Sequence, residues 1–280
     1  MAGKLYICAT PIGNLEDITI RVLNILKEVD LIAAEDTRHS IKLLNHFDIK
    51  TPMTSYHEYN KIEKAAYLVE QMREGKNVAI ITDAGTPAIS DPGEELVRQC
   101  HAAGIEMTSL PGPAACITAL TVSGLSTRRF AFEAFLPPDK KDRKRIMEEL
   151  KKESRTIILY EAPHHLVKTL ELLNEELGDR KITICRELTK KHEEIWQSTI
   201  AGAIERFSRE EPKGEFVLVI EGKSFEDIDS EQQSSWENVS IEEHMKIYLS
   251  QGVDNKEAMK LVAKDRGLSK RDIYNSLMKK

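Results

Sequence analysis

The sequence predicts an α/β protein built as two domains with a small helical module at the C-terminal end. Three observations lead there. Nine short β-rich runs alternate with helical patterns from residue 4 to about residue 222. Several runs, Val78–Ile81 and Phe216–Ile220 above all, are apolar without alternation, the pattern of strands buried on both faces in parallel sheets covered by helices. After residue 222 the composition changes: Lys223 stands against Glu226, Asp227, Asp229, Glu231 and Glu237, with Ser and Gln between them.

The elements follow in order. Strands are expected at Leu5–Ala9, Leu31–Glu35, Met53–Tyr56, Val78–Thr82 and Met107–Leu110, then at Phe130–Phe135, Thr156–Glu161, Ile182–Glu187 and Phe216–Glu221. Asn60 is placed to cap a helix that puts Ile62, Ala65, Ala66, Val69 and Met72 on one face. Pro113 sits where another helix begins, and residues 114–122 continue it. Gly124-Leu125-Ser126-Thr127 ends that helix and divides the chain, giving an N-terminal α/β domain over 1–124 and a second over 125–222. Residues 223–239 read as a solvated acidic linker. From Ser240 three short helices fit, at about 241–250, 255–265 and 269–278, within a module spanning 240–280.

Bulk properties narrow the function. The 280 residues suffice for a sizeable core. A net charge of −6 excludes a global polycation, so binding to nucleic acid needs a local patch. Two stretches qualify: residues 128–152 carry nine basic residues against five acids, and the tail from Ser240 carries nine against six, counting Lys279 and Lys280. Each also reads as a solvated helix face with Lys–Glu pairs, and the tail equally as a protein-docking module. Cys8, Cys100, Cys116 and Cys185 have no paired spacing and sit in apolar segments, as buried free thiols of a reducing compartment do. No apolar run reaches membrane-spanning length, and the start lacks a signal-peptide layout, so a cytoplasmic protein without membrane contact is expected.

The most informative segment is Ile80-Ile81-Thr82-Asp83-Ala84-Gly85-Thr86-Pro87-Ala88-Ile89-Ser90-Asp91-Pro92-Gly93. A buried strand ends in an acid, and a bent loop of small residues follows, where open α/β sheets bind ligands. Other signatures are missing. No two glycines are spaced G-x-G, there is no G-x-x-x-x-G-K-[ST] and no G-x-S-x-G, and His192-Glu193 lacks the second histidine of a zinc-protease helix. His164-His165 has no Cys or acid at ligand spacing, so no metal site is expected.

Eight motifs then occur in one order: Ala9-Thr10-Pro11-Ile12-Gly13-Asn14-Leu15-Glu16-Asp17, Ala34-Glu35-Asp36-Thr37-Arg38, Thr82 to Gly93, Leu110-Pro111-Gly112-Pro113-Ala114-Ala115, Phe132-Glu133-Ala134-Phe135-Leu136-Pro137, Tyr160-Glu161-Ala162-Pro163-His164-His165-Leu166, Arg186-Glu187-Leu188-Thr189-Lys190 and Lys213-Gly214-Glu215-Phe216. Together they resemble the tetrapyrrole methylase superfamily of S-adenosylmethionine-dependent (class III) methyltransferases, and most closely its branch that 2′-O-methylates a cytidine in the decoding region of 16S rRNA. The resemblance implies two α/β domains with the methyl donor folded between them, a homodimer, and 16S rRNA or the small ribosomal subunit as partner. It assigns to the donor Pro11, Asp83, Thr86, Ala88, Ala114 and Ala115 from the first domain and Tyr160, Arg186, Glu187, Gly214 and Glu215 from the second; Glu161 is a further candidate, to orient the donor. Read from the residues alone, Asp83 could instead cap its own loop, Ala114 and Ala115 could be helix packing, and Tyr160 could be core.

For the transfer itself a ribose hydroxyl needs a base or a polarising cation. Asp36 is a candidate acceptor of the hydroxyl proton, Arg38 a candidate clamp on phosphate or cytidine, and Glu133 a third candidate. An Asp36–Arg38 pair that merely braces the loop is the competing reading. Two other functions stay open: a tetrapyrrole C-methyltransferase, which would want a broad apolar cleft, and a non-catalytic RNA-binding protein on the same fold.

Overall fold

The computed structural model describes residues 2–278, so Lys279 and Lys280 of the basic tail lie outside the described residues. The first lobe contains β1 (Lys4–Cys8), α1 (Ile20–Glu28), β2 (Leu31–Ala34), α2 (Thr37–His46), β3 (Met53–Ser55), α3 (Lys61–Arg73), β4 (Val78–Ile81), α4 (Gly93–Ala103) and β5 (Glu106–Leu110). Its strands form an all-parallel sheet in the order β3-β2-β4-β1-β5. The inner strands serve two cores. Val78 and Ile80 face a cluster with Leu68, Met72 and Leu96 of α3 and α4, while Ala79 and Ile81 face Val22, Leu26 and Leu44 of α1 and α2. This two-sided burial explains the unbroken apolar run of β4.

Helix α5 (Ala115–Val122) follows, then β6 (Phe130–Ala134), α6 (Lys140–Leu150), β7 (Thr156–Glu161), α7 (Leu166–Leu177), β8 (Lys181–Arg186), β9 (Glu194–Thr199), α8 (Ile200–Phe207) and β10 (Phe216–Ile220). The second sheet runs β6-β7-β10-β8-β9, and only β6 and β7 are parallel. The parallel reading of Phe216–Ile220 is therefore corrected: β10 is antiparallel to both neighbours. The continuous apolar run reports burial on two faces and says nothing of direction. One face of β10 (Phe216, Leu218, Ile220) meets α6, α7 and α8. The other (Val217, Val219) meets Cys116, Ala119 and Leu120 of α5. Thus α5, which precedes residue 124, packs on the second sheet.

Two further expectations fail locally. Asn60 makes no side-chain cap to α3. Its Oδ1 instead accepts the His57 N–H at 2.9 Å, closing the preceding turn. The buried face of α3 consists of Ala65, Leu68, Val69 and Met72, while Ile62 is 65% exposed and Ala66 is also exposed. Strand β9 was not legible at all. It lies at the sheet edge with Ile195 exposed, and Trp196 is covered by the Arg206 guanidinium 4.7 Å from its ring.

The stretch 223–239, expected as a solvated linker, folds as helix α9 (Phe225–Ser235). Helices α10 (Ile241–Ser250), α11 (Asn255–Asp265) and α12 (Lys270–Met278) complete the chain around Met245, Ala258, Val262, Ala263 and Ile273. Two contacts hold α9 and its exit against this unit: Gln232 Nε2 donates to Asp265 Oδ1 at 2.9 Å, and the Trp236 ring stacks on buried His244 at 3.5 Å. Within the unit, Tyr248 of α10 donates its hydroxyl to the same Asp265. The acids of the stretch find basic partners: Lys223 pairs with Glu231, and Asp227 and Glu231 flank Arg180.

Leu218 at the centre of β10 is fully buried. Leu218→Ala is expected to lower unfolding stability by about 2–5 kcal/mol, because a cavity between α7, α8 and the sheet cannot collapse fully. Urea denaturation followed by circular dichroism checks it.

Candidate active site

The strand ends of the first lobe are tied to one another before any ligand is considered. Thr10 and Gly85 exchange backbone hydrogen bonds at 2.9 and 3.0 Å, and Thr10 Oγ1 donates to the Thr82 carbonyl at 3.0 Å. Asp91 closes the loop after β4, its carboxylate accepting N–H bonds from Ala88, Ile89 and Gly93 at 3.0, 3.3 and 2.7 Å. The bend is tight enough that a Cβ on Gly93 would lie 2.9 Å from the Ala88 nitrogen. Ala88 and Ser90 are left-handed, at φ +66° and +65°. In the second lobe Ala134, Glu187 and Thr189 are left-handed too, at +51°, +50° and +65°. Each such residue costs of order 1–3 kcal/mol and persists where its surroundings enforce it, as at ligand sites. Five of the six non-glycine residues of this kind among the described residues stand on these strand-end loops.

Between the lobes lies a cavity of about 520 Å³, the size of a small-molecule site. The first lobe contributes Ile12, Glu35, the run Thr82 to Thr86, Asp91, Ala114 and Ala115; the second contributes Phe135, Tyr160, Glu161, Leu188, Lys190, Glu215 and Val217. Five carboxylates (Glu35, Asp83, Asp91, Glu161, Glu215) face one cation, Lys190. Lys190 is already committed, donating to Glu187 Oε1 and Glu215 Oε2, each at 2.9 Å. Burial and the charge of Glu35 push the Asp83 carboxyl above its ordinary pKa. Burial pushes Asp91 up as well, although its three N–H donors resist. Glu187 is penalised by burial, but Lys190 and the Glu215 N–H outweigh this and hold it below the usual range. The Cys185 thiol in the wall is pushed up to about 12 by burial, so it is neutral and unreactive.

A second cavity of about 550 Å³ abuts the first, lined by Thr10, Pro11, Gly13 and Leu15 and by His39, Ser40, Lys42, Leu43 and His46 of α2. The two share Ile12, Thr82, Asp83, Ala84, Lys190 and Glu215.

Of the residues proposed for the donor, Asp83, Thr86, Ala114, Ala115, Tyr160, Glu161 and Glu215 line the first cavity, and Pro11 lines the second. Asp83 does not cap its own loop. It accepts the Asp36 N–H at 3.2 Å, and Asp91 does the bracing. Tyr160 is both core and wall: it packs on Phe132 and Phe135, and its hydroxyl accepts the Cys116 N–H at 3.0 Å. Glu161 accepts from Thr169 Oγ1 at 2.5 Å and from the Ala162 N–H at 2.8 Å. Ala88, Arg186, Glu187 and Gly214 stand behind the wall. Glu187 Oε1 takes the Glu215 N–H at 2.9 Å, and a Cβ on Gly214 (φ +85°) would strike the Glu187 side chain at 2.5 Å. Arg186 pairs with Glu194 at 3.2 Å, leaving its buried Nε without a partner.

The proposed catalytic groups lie outside both linings. Asp36 caps α2 and holds Arg38 bidentately, at 3.1 Å to Nε and 2.7 Å to Nη2, which keeps its carboxyl well below the ordinary range. Glu133 is raised by burial and by Glu149 and Glu153. Sequence reasoning missed three charged wall residues, Asp91, Glu35 and Lys190; Asp91 sits in the singled-out loop after β4. Glu35 follows an apolar strand as Asp83 does, and accepts the Thr82 hydroxyl proton in a hydrogen bond. Lys190 closes a motif whose other members were singled out. The rings of His164 and His165 lie 4.2 Å apart, tilted by 51°, at the entry to α7, and among the described residues no group of His, Cys, Asp and Glu is placed to hold a metal.

A sulfonium donor with an ammonium group needs carboxylate acceptors, and its adenine needs an apolar slot. The cavity provides Glu35, Asp83 and Glu215 for the first and Ile12, Ala114, Leu188 and Val217 for the second, so the residues present fit S-adenosylmethionine. The comparisons agree. A family model described as Tetrapyrrole (Corrin/Porphyrin) Methylases matches residues 4–204. A Bacillus subtilis (strain 168) protein named Ribosomal RNA small subunit methyltransferase I is 47% identical over 274 residues, 98% of this chain and 94% of its own length. A Thermotoga maritima protein of the same name is 48% identical over 221 residues, 79% of this chain and 99% of its own. In fold the chain is similar to diphthine synthase (TM-score 0.63, 13% identity, 78% of this chain and 90% of that one). It is also similar to the Thermus thermophilus uroporphyrin-III C-methyltransferase (TM-score 0.56, 19% identity, 78% and 94%). The chain belongs to the tetrapyrrole (corrin/porphyrin) methylase family and is a methyltransferase whose methyl donor is S-adenosylmethionine.

Proposed function

We propose that this chain methylates small-subunit ribosomal RNA, at the 2′-hydroxyl of the decoding-region cytidine at 16S position 1402. The observation that carries the reading is the meeting of two cavities at one wall, Thr82 to Ala84. A transfer between two bound molecules needs that arrangement, because alignment of nucleophile, carbon and leaving group supplies much of the rate. The names of the relatives, at up to 49% identity over nearly the whole chain, support rRNA as the acceptor.

When bound, S-adenosylmethionine supplies an electrophilic methyl group. The chain's own residues do the rest. Ile12, Ala114, Leu188 and Val217 exclude water around the adenine, and Asp83 and Glu215 neutralise the donor's cationic end. Glu35 and Asp83 are the carboxylates placed to take the hydroxyl proton, since both stand in the wall and Asp83 faces both cavities. The Asp36 carboxylate is spent on Arg38, and its backbone N–H donates to Asp83.

Positive charge for RNA is available outside the cleft. Lys140, Lys141, Lys144 and Arg145 of α6 have no ion-pair partner among the described residues. Helices α11 and α12 are joined by the turn Arg266-Gly267-Leu268-Ser269, with Gly267 at φ +63°, and Lys264, Lys270 and Arg271 surround that turn. Shape-and-phosphate recognition of folded RNA suits such a unit. A cytoplasmic location and a homodimer belong to the same reading. No helix among the described residues is long and apolar enough to cross a membrane, and Tyr59 (97% exposed) and Ile62 beside it form an uncovered apolar patch that a second copy would bury.

Incubating 30S subunits that lack the modification with labelled donor should place the methyl on the 2′-oxygen of that one cytidine, read by primer extension and mass spectrometry; label confined to protein or absent from RNA sinks the proposal. Asp83→Asn separates binding from stability. A carboxyl whose pKa is raised by folding gives stability that is present below its unfolded pKa and lost as pH rises through the folded one. Ionised Asp83 therefore destabilises the free protein at neutral pH. Asn should raise the donor-free melting temperature at pH 7, with the gain shrinking as pH falls through the Asp83 pKa. The same change should weaken donor binding roughly tenfold or more, the loss of a charged hydrogen-bond partner, as calorimetry would show. Deleting residues 224–280 spares the Lys223 N–H bond to the Glu153 carbonyl. The truncated enzyme should keep its donor affinity and show a raised KM for RNA, and equal rates at limiting RNA would remove the tail from RNA binding.

A further inference from the structure

We infer that the second cavity receives the nucleotide to be methylated, and that α2 grips the RNA phosphates on its rim through His39, Lys42 and His46. The inference rests on the rRNA reading above and adds the residues that would hold the acceptor. His39, Lys42 and His46 recur at helical spacing, so they share one face, and with Leu43 that face lines the cavity. From 39 to 46 the helix advances about 10 Å, long enough to follow a backbone past one nucleotide.

The charge on this face is not neutralised from within. Helix α2 contains no acid. Arg38 is taken by Asp36, and Lys190 by Glu187 and Glu215. Lys42 has no ion-pair partner among the described residues. In a chain of net charge −6, a cleft wall with a free lysine and two imidazoles and no acid of its own is selective for anions. The loop after β1 lines the same cavity with the apolar side chains of Pro11, Ile12 and Leu15, as a base or ribose face requires. The acids Asp83 and Glu215 lie only at the shared end, beside the donor cavity. A polyanion would therefore enter with its charge along α2 and its neutral hydroxyl toward Asp83.

The test measures methylation of unmodified 30S subunits by Lys42→Glu, by His39→Ala/His46→Ala and by Lys42→Arg, with donor affinity measured by calorimetry in parallel. Lys42→Glu should raise the KM for RNA about tenfold or more, equivalent to about 1.4 kcal/mol. It should also lower the slope of log KM against log salt by about one, the mark of a lost phosphate contact. The double histidine variant should shift KM in the same direction, Lys42→Arg should restore it to within about threefold, and donor affinity should stay at the wild-type value. If the wild type methylates RNA while Lys42→Glu keeps the wild-type KM and salt slope, the α2 assignment is wrong and the rRNA reading stands. If donor affinity falls as KM rises, α2 acts structurally and the assignment is again wrong. If the wild type places no methyl on RNA, the rRNA reading fails and this inference falls with it; uptake of label by a polycarboxylate tetrapyrrole instead would identify the other anionic acceptor.

Discussion

The packing of α5 on the second sheet is the contact on which the rest of this structure depends. In sequence the helix belongs with the first lobe, directly after β5, yet Cys116, Ala119 and Leu120 bury themselves against Ile158, Cys185, Val217 and Val219. Ile12, from the loop after β1, joins the same cluster. The two lobes are thus joined by apolar burial, which is directionless, and then aligned by a directed bond, the Cys116 N–H to the Tyr160 hydroxyl. The donor cavity is the space left above that joint. Its floor is core, which is why so many of its lining residues read as packing residues in the sequence.

The second requirement is electrostatic, and it works against the first. A cavity made for a cationic donor gathers Glu35, Asp83, Asp91, Glu161 and Glu215 into one partly buried space. Without a ligand such a cluster repels itself. The structure limits the penalty by satisfying most of the acids in place: Asp91 by three backbone N–H groups, Glu161 by Thr169 and Ala162, Glu215 by Lys190. Asp83 keeps only the Asp36 N–H, and its raised pKa records what is left over. The left-handed residues Ala88, Ser90, Glu187 and Thr189 are of the same kind. They are local penalties held by a rigid frame at the place where the ligand is expected to repay them.

This division explains what could be read from the sequence. Strands such as β4 and β10 were legible because two-sided burial writes an unbroken apolar run. Strand direction was not, since β10 carries the same run while antiparallel to both neighbours. Strand β9 was missed because an edge strand with one covered face offers only Trp196 as a signal, a single ring that packs on the second-lobe core and lies under the Arg206 guanidinium. At the site, the motifs located the loops but not the roles within them. Asp83 and Asp91 flank one loop, and only the hydrogen bonds show that Asp91 is the brace and Asp83 the exposed acceptor. Glu35 stood beside Asp36 in a motif already singled out, and the Arg38 pair decided which of the two acids remained available.

The acidity of 223–239 has the same kind of explanation. As a free linker it would have no reason to carry five acids and one base. As helix α9 it lies over a basic patch of the second lobe, where Lys151, Lys152, Arg180 and Lys223 meet Asp227 and Glu231. Arg180 is half the reason: its guanidinium also ties the carbonyl of Lys151 at 3.0 Å, so the acids of α9 steady a residue that holds strands and loops together. On its other side α9 is bound to the helical unit through Gln232 and Trp236. The helix is thus a charged clamp between catalytic lobes and tail. The Thermotoga maritima relative is matched over 99% of its length by 79% of this chain, so a protein of this family is complete without a segment the size of the tail. A clamp made of a few ionic, polar and stacking contacts suits an accessory unit of that kind, because it fixes a position while the apolar cores of lobe and tail stay separate.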